Sequence, residues 1–310
     1  MRNIIGNENG AALIVTLLVI VIMTVTLTEF MYSTWVDRSL AAGFRDDVRA
    51  VAAVRAGVDA ARAVIIEDKK EDIRNERIVD HLGEFWSQQS LPVPIGNTYA
   101  FVTITDESSK IDLNRLTEGS RGEKLRPVFR RLLNILEMDD SIADAVIDWI
   151  DDDEDGFFEN GYYMSLPAPY QCKNKKLDSL DEIKRIKGIT PKVFNRLKNF
   201  VTIRSTGWIN INSAPVELIQ ALHEDISRSM AESVIEARRS AYFRSPVEIK
   251  NVSGFNSNDL YANIGSIIGV YGDSYAVSVV ATFNDVTRTA NALFTDRSDA
   301  GARLIYFRIS

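Results

Sequence analysis

Between Asp148 and Glu159 the chain places seven carboxylates, Asp148, Asp151, Asp152, Asp153, Glu154, Asp155 and Glu159, and no cation. Side chains this close repel one another unless solvent or a bound cation neutralises them. Asp151, Asp153, Asp155 and Gly156 follow the D-x-D-x-D-G opening of a calcium loop, in which alternate side chains converge and glycine permits the turn. Glu159 stands at the ninth loop position. Tyr162 occupies the twelfth, where a bidentate glutamate is expected, so other ligands must close the shell. Asp148, one turn earlier on a helix, or Asn174 is placed to do so. The candidate metal ligands are Asp148, Asp151, Asp153, Asp155 and Glu159, with calcium favoured over magnesium, which demands a stricter six-oxygen shell. A solvated acidic loop is the competing reading.

Little else in the chain points to chemistry. The two histidines, His81 and His223, lie in unrelated contexts without a nucleophile or metal-ligand cluster, so both read as ordinary surface residues and no catalytic residue is assigned. Cys172 is the single cysteine. No intramolecular disulfide can form, and stability in an oxidising compartment must come from packing or a metal. A formal net charge of −7 over 310 residues argues against bulk electrostatic affinity for nucleic acid or anionic lipid.

The acidic run sits inside an internal repeat. The stretch from Ser179 through Ile183 to Gly188 matches that from Ser245 through Ile249 to Gly254 at an offset of 66. Ile111-Asp112-Leu113-Asn114 matches Ile209-Asn210-Ile211-Asn212 at an offset of 98, and Ala143, Val146 and Ile147 match Ala231, Val234 and Ile235 at 88. Two copies of a small helical unit follow. The first holds about 22 extra residues (88 − 66), roughly Asp151 to Cys172, which include the acidic run. Each copy ends in an apolar helix, a glycine turn and a second helix, similar to a helix-hairpin-helix. Nucleic-acid-binding hairpins meet a phosphate with glycine amides and nearby cations. Gly188 and Gly254 stand alone in their turns, and residues 106–268 carry 22 Lys and Arg against 26 Asp and Glu. Lys184, Arg185, Lys187 and Lys192 cluster locally, as a solvated helix face would. The hairpins read as packing units, with a membrane-anchored DNA-binding protein as the alternative.

At the amino terminus a polar leader ending in Gly10 meets Ala11 to Thr28, eighteen residues without a charge. That length can span a bilayer. A secretory signal is cut after its apolar region, whereas a cut at the Gly10/Ala11 junction leaves the apolar helix attached. Arg2 ahead of the span places the amino terminus in the cytoplasm by the positive-inside preference. A simple uncleaved anchor is the alternative. Alanines from Ala41 to Ala63 and valines from Val48 to Val58 favour one helix to about Glu67, and the charged segment to Arg77 ends it. Leu91 to Asn97 reads as a turn, Thr98 to Thr105 as a strand, and Tyr275 to Phe283, Val286 to Phe294 and Ala302 to Ile309 as three more, with a turn at Asn284-Asp285.

The expected architecture is α+β, a pilin-like fold of long amino-terminal helix plus antiparallel sheet, with a large inserted all-α domain of two helix-hairpin-helix (SAM-like) units. Its boundaries are a leader at 1–10, the helix at 11–68, the first part of the head at 69–105, the insertion at 106–268 and the closing strands at 269–310. In pilins the fifth mature residue is a glutamate; here it is Val15. A carboxylate in hydrocarbon costs a few kcal/mol unless paired, and its partner in such fibres is the terminal amine of the subunit ahead. A subunit with nothing ahead has no use for it.

The Gly10/Ala11 junction, Val15, the Asp148-Trp149-Ile150-Asp151 run with Asp153, Tyr162-Tyr163, Pro169-Tyr170 with Asn174, and the Ile209 to Ala214 segment together resemble the general secretion pathway protein K family. These are the K-type minor pseudopilins of the type II secretion system. The resemblance covers nearly the whole chain. It implies calcium in the inserted domain and a tip complex with two other minor pseudopilins (I- and J-type) above the major pseudopilin. Leader removal at Gly10 and methylation of Ala11 by the prepilin peptidase are also implied. So is a single-pass inner-membrane protein, its head in the periplasm, that nucleates or caps the pseudopilus, is not an enzyme and binds no nucleic acid. A minor pilin of a type IV pilus is the neighbouring alternative. The acidic segment from Asp153 to Glu159 departs from the family in being compact and more acidic.

Overall fold

A single helix of 67 residues, α1 (Glu8–Arg74), runs through the apolar segment and the head, about 100 Å at 1.5 Å per residue. The computed structural model describes residues 8–88, 90–96, 98–295 and 301–310; leader residues 1–7 and Asn97 lie outside them. Among the described residues the apolar stretch packs against nothing, and it is long and apolar enough to cross a membrane by length and composition. From Ala50 onward one stripe turns inward. Ala50, Ala53, Val54, Val58, Ala61 and Ile65 are buried at three- and four-residue spacing, the signature of a helix laid on a sheet. The alanines therefore divide, since Ala52, Ala56 and Ala63 are exposed and serve only as helix formers. Gly57 has a stricter role: a Cβ there would lie 2.5 Å from Val279 Cγ1. α1 continues past Glu67, because Glu67 pairs with Lys70 and Arg74 along its surface. Charge of both signs solvates a helix rather than ending it.

The sheet is antiparallel, in the order β1-β2-β7-β8-β9. Its strands are β1 (Leu91–Ile95), β2 (Thr98–Asp106), β7 (Ser274–Phe283), β8 (Val286–Thr295) and β9 (Arg303–Ile309). Two strands precede the insertion where one was expected. Pro92 and Pro94 made β1 read as a turn, yet proline is tolerated on an edge strand whose missing donors face outward. Asn284 adopts φ 49° in the two-residue β7–β8 turn. The inner face packs Val102, Ile104, Val277, Val279, Ala290, Ala292 and Phe294 on α1. Small sheet residues there match the small helix residues and bring the layers close.

The insertion leaves at Asp106 and returns at Tyr275, which face each other in the register of β2 and β7. Both ends thus sit at one point, so the insertion adds mass without prying the strands apart. That point is far from the end of the head nearest the apolar segment, where Asn284 donates to Asp46 at 2.6 Å and Arg288 pairs with Asp47.

The inserted domain is helical, with α2 (Gly119–Ile135), α3 (Ser141–Ile150), α4 (Asn160–Met164), α5 (Pro191–Leu197), α6 (Val216–Ala221), α7 (Arg228–Ser240) and α8 (Asn258–Ile264) on one shared core. It is not all-α. Each repeat is closed by a two-residue parallel pair, β3 (Ile111–Asp112) with β4 (Val201–Thr202), and β5 (Ile209–Asn210) with β6 (Ile268–Gly269). Strands this short carry no readable period.

The repeated Ile-x-x-Asn segments do one job twice. Asn114 accepts from Leu177 N–H at 2.7 Å and donates to the Leu177 and Ile203 carbonyls at 3.0 Å each. Asn212 accepts from Phe243 N–H at 2.8 Å and donates to the carbonyls of Phe243 at 2.9 Å and Val270 at 3.5 Å. Each asparagine stitches the entering strand to the approach to the glycine hairpin. Gly188 and Gly254, at φ 83° and 89°, allow the left-handed turn. They also sit tight against the body, since a Cβ would lie 2.8 Å from Ile142 and 2.9 Å from Met230.

Candidate functional site

The acidic loop grows from the end of α3. Burial of Ile142, Val146, Trp149 and Ile150 fixes that helix and so aims the residues beyond it. Asp151, Asp153 and Glu159 bring carboxylate oxygens within 4.8 Å of one another. Glu159 is only 6% exposed, yet both its carboxylate oxygens are buried without a hydrogen-bond partner, as are Asp151 Oδ1 and Asn174 Oδ1. Four orphaned oxygens in one loop are unusual, because buried polar atoms normally find donors. Burial, with Asp148 and Asp151 nearby, pushes Glu159 up to about 7; burial, with Asp153 and Asp148, pushes Asp151 up to about 6.

The other candidates sit differently. Asp155 is exposed and is not among the converging carboxylates; its backbone N–H donates to Asp153 Oδ1 at 2.8 Å. Asp148 accepts the Phe158 N–H at 2.8 Å and braces the loop from beneath. Gly156 serves that contact rather than a left-handed turn, because a Cβ would fall 2.4 Å from the Asp148 carboxylate. Asn174, at φ 47°, donates to the Asp153 carbonyl at 2.7 Å, which leaves its own oxygen facing no donor.

An aromatic platform seats the loop on the first hairpin. Trp149 meets Tyr163 edge-on at 5.1 Å, and Tyr163 meets Tyr170 at 5.2 Å. Tyr170 donates to the Arg185 carbonyl at 2.6 Å. The local cations are occupied here: Lys187 lies 4.2 Å over Phe158, Lys184 4.1 Å over Phe194 and Arg185 5.1 Å over Tyr170.

A second acidic group went unread in the sequence. Asp68 on α1 meets Asp80 and Glu84 from the following loop, beside a cavity of 860 Å³ that Val64, Asp72, Val79, Trp86 and Tyr242 also line. Asp80 is 1% exposed and accepts from Tyr275 Oη at 2.7 Å and Gly272 N–H at 2.5 Å. Asp106, at the root of the insertion, accepts from Asn210, Ser213 and Ser108. Asp68 lies 12 positions before Asp80, and Asp106 lies 22 after Glu84, so no local motif announces the group. His81 stacks on Tyr242 at 4.0 Å and is a junction residue rather than a surface one.

Burial raises every one of these acids, Asp68 and Asp106 to about 7 and Glu84 to about 8. A carboxyl whose folded value exceeds its unfolded value near 4 binds more protons folded than unfolded, so stability falls as pH rises through the folded value. The full chain is therefore expected to melt about 2–5 °C higher at pH 6 than at pH 8, the raised carboxyls of the acidic loop acting in the same direction. Thermal melts at the two pH values check it, and a higher melting point at pH 8 contradicts it.

With this geometry in view, comparison with known proteins is specific. Residues 109–206 and 209–270 each match a family model described as Type II secretion system (T2SS), protein K. The two segments coincide with the two strand-closed units. The chain is 30% identical over 254 residues to the type II secretion system protein K of Pseudomonas aeruginosa, covering 77% of this chain and 74% of that one. To the same protein of Aeromonas hydrophila it is 26% identical over 261 residues, covering 74% and 76%. Among solved structures, the crystal structure of the GspK-GspI-GspJ complex from enterotoxigenic Escherichia coli holds a chain that superposes with a TM-score of 0.71 at 16% identity. The match covers 87% of this chain and 99% of that chain.

Proposed function

The chain belongs to the type II secretion system protein K family, and from that premise we propose that this minor pseudopilin begins or caps the pseudopilus at its tip. One observation carries the reading: the inserted domain roots at Asp106 and Tyr275, at the end of the head away from the apolar segment. A mass there stands in the way of a subunit arriving above. Val15 agrees with it, because a first subunit has no predecessor whose amine a buried carboxylate would meet. The role is mechanical rather than catalytic.

The remaining parts follow from the same reading. The prepilin peptidase cuts after Gly10 and methylates Ala11; the apolar helix holds the chain in the inner membrane, and the head stands in the periplasm. Two other minor pseudopilins, of the I and J types, complete the tip above the major pseudopilin. Calcium sits among Asp151, Asp153 and Glu159, with the Asn174 oxygen as a neutral ligand. The orphaned oxygens support this placement, and the ion supplies the charge that lets the loop close on itself.

Raising the level of this chain in secreting cells is expected to give more and shorter pseudopili, since each extra copy starts or stops a fibre. Fibre lengths measured by electron microscopy decide it, and unchanged lengths contradict it. Val15→Glu is expected to leave secretion unchanged or reduce it; secretion raised above the parent level would count against the tip assignment.

A further inference from the structure

The sheet ends in two unlike edges. On β1, Pro92 and Pro94 stand at alternate positions, and since β1 still pairs with β2, the side without donors is the open one. That edge is closed to further pairing. β9 carries no proline. Ser310 and Thr289 exchange backbone hydrogen bonds of 2.9 and 3.0 Å. Antiparallel pairing alternates, so Arg308 and Tyr306 bond to β8, opposite Asn291 and Leu293, while Phe307 and Ile309 turn their N–H and C=O groups outward. Among the described residues no strand covers that side. The side chains are as open as the backbone, with Leu304 45%, Tyr306 46% and Phe307 38% exposed.

An apolar edge of this kind is normally blunted. Charge does part of that here, and it selects the partner. Neither Arg303 nor Arg308 has a carboxylate partner among the described residues. The antiparallel self-pair with Leu304 opposite Phe307 sets Arg303 against Arg308 at both ends, a like-charge contact that disfavours a second copy in that register. The same arginines suit a strand with carboxylates at its ends.

We propose that β9 is a docking edge, and that an extended apolar segment bordered by carboxylates, from one of the other pilin-like subunits of the tip, adds to it as a sixth strand. This rests on the tip complex argued above. Backbone bonds to Phe307 and Ile309 hold the segment, and Arg303 and Arg308 set its register.

The test uses the full chain in detergent, mixed with the I- and J-type subunits of the same machine and followed by size exclusion and amide hydrogen exchange. The Phe307 and Ile309 amides are expected to exchange at least about tenfold more slowly in the complex than in the isolated chain. Phe307→Pro removes only an outward donor, so it is expected to cut complex recovery while the β8–β9 pairing persists. If that variant fails to fold, the double change Arg303→Glu and Arg308→Glu is expected to weaken the complex through charge alone. A complex that forms with both amides exchanging as in the isolated chain overturns the docking edge and leaves the tip reading intact. No complex at all overturns the tip reading, and the edge with it.

Discussion

Calcium added to the chelator-treated full chain in detergent is expected to raise its melting temperature by about 5–10 °C. A ligand at one hundred times its dissociation constant stabilises by about 2.7 kcal/mol, and a domain of this size gains about 2–4 °C per kcal/mol. Glu159→Gln is expected to abolish most of the shift, because both oxygens of that buried carboxylate lack partners. Asp151→Asn is expected to reduce it and Asp155→Asn to leave it unchanged, since Asp155 lies outside the converging group. Without calcium, Glu159→Gln is expected to melt above the parent, having lost a buried charge that Asp148 and Asp151 repel. Protons compete for the same oxygens. Affinity is therefore expected to fall as pH drops from 7.5 through about 7 and about 6, where Glu159 and Asp151 take up protons. An unchanged melting temperature on calcium addition would count against the site.

The second large effect is structural. Asn212→Ala is expected to destabilise the chain by about 3–5 kcal/mol in denaturant or thermal melts, enough to unfold the second repeat of a marginal domain. Asn212 is 1% exposed and holds three backbone groups, Phe243 N–H and the Phe243 and Val270 carbonyls. Alanine leaves the Phe243 N–H and carbonyl buried without partners, while the Val270 carbonyl keeps the Asp80 N–H at 2.9 Å. Asn114→Ala is expected to cost less, about 2–3 kcal/mol, because Asn114 itself is only half-buried. Equal effects at the two positions would show that burial does not set the difference, and a change below about 1 kcal/mol at Asn212 would contradict the stitching role.

The parts that were legible in the sequence have strong, long-range periodicity. α1 showed in its alanine and valine spacing, and β2, β7 and β8 showed in alternation and in the Asn284 turn. The insertion showed as an interruption between strands that pair across it. What was illegible depended on context. β1 was hidden by two prolines that only an edge tolerates, and β3 to β6 are too short for any pattern. Charge between Glu67 and Arg74 reads equally as solvated helix or as loop until its ion pairs are known.

The acidic loop divides along the same line. Spacing put Asp151, Asp153 and Glu159 in one group, but it could not separate Asp155, which shares the period, or show that Gly156 makes room for Asp148. The Asp68, Asp80, Glu84 group is assembled only by tertiary contact. The repeated asparagines were visible as a match between copies, and their hydrogen bonds explain why the match exists.

As a tip subunit, this chain is expected to stand at the free end of the fibre. Gold labelling of an epitope in the inserted domain on isolated pseudopili, viewed by electron microscopy, checks that placement: label at one end of each fibre is the expected result, and label distributed along the length would overturn it.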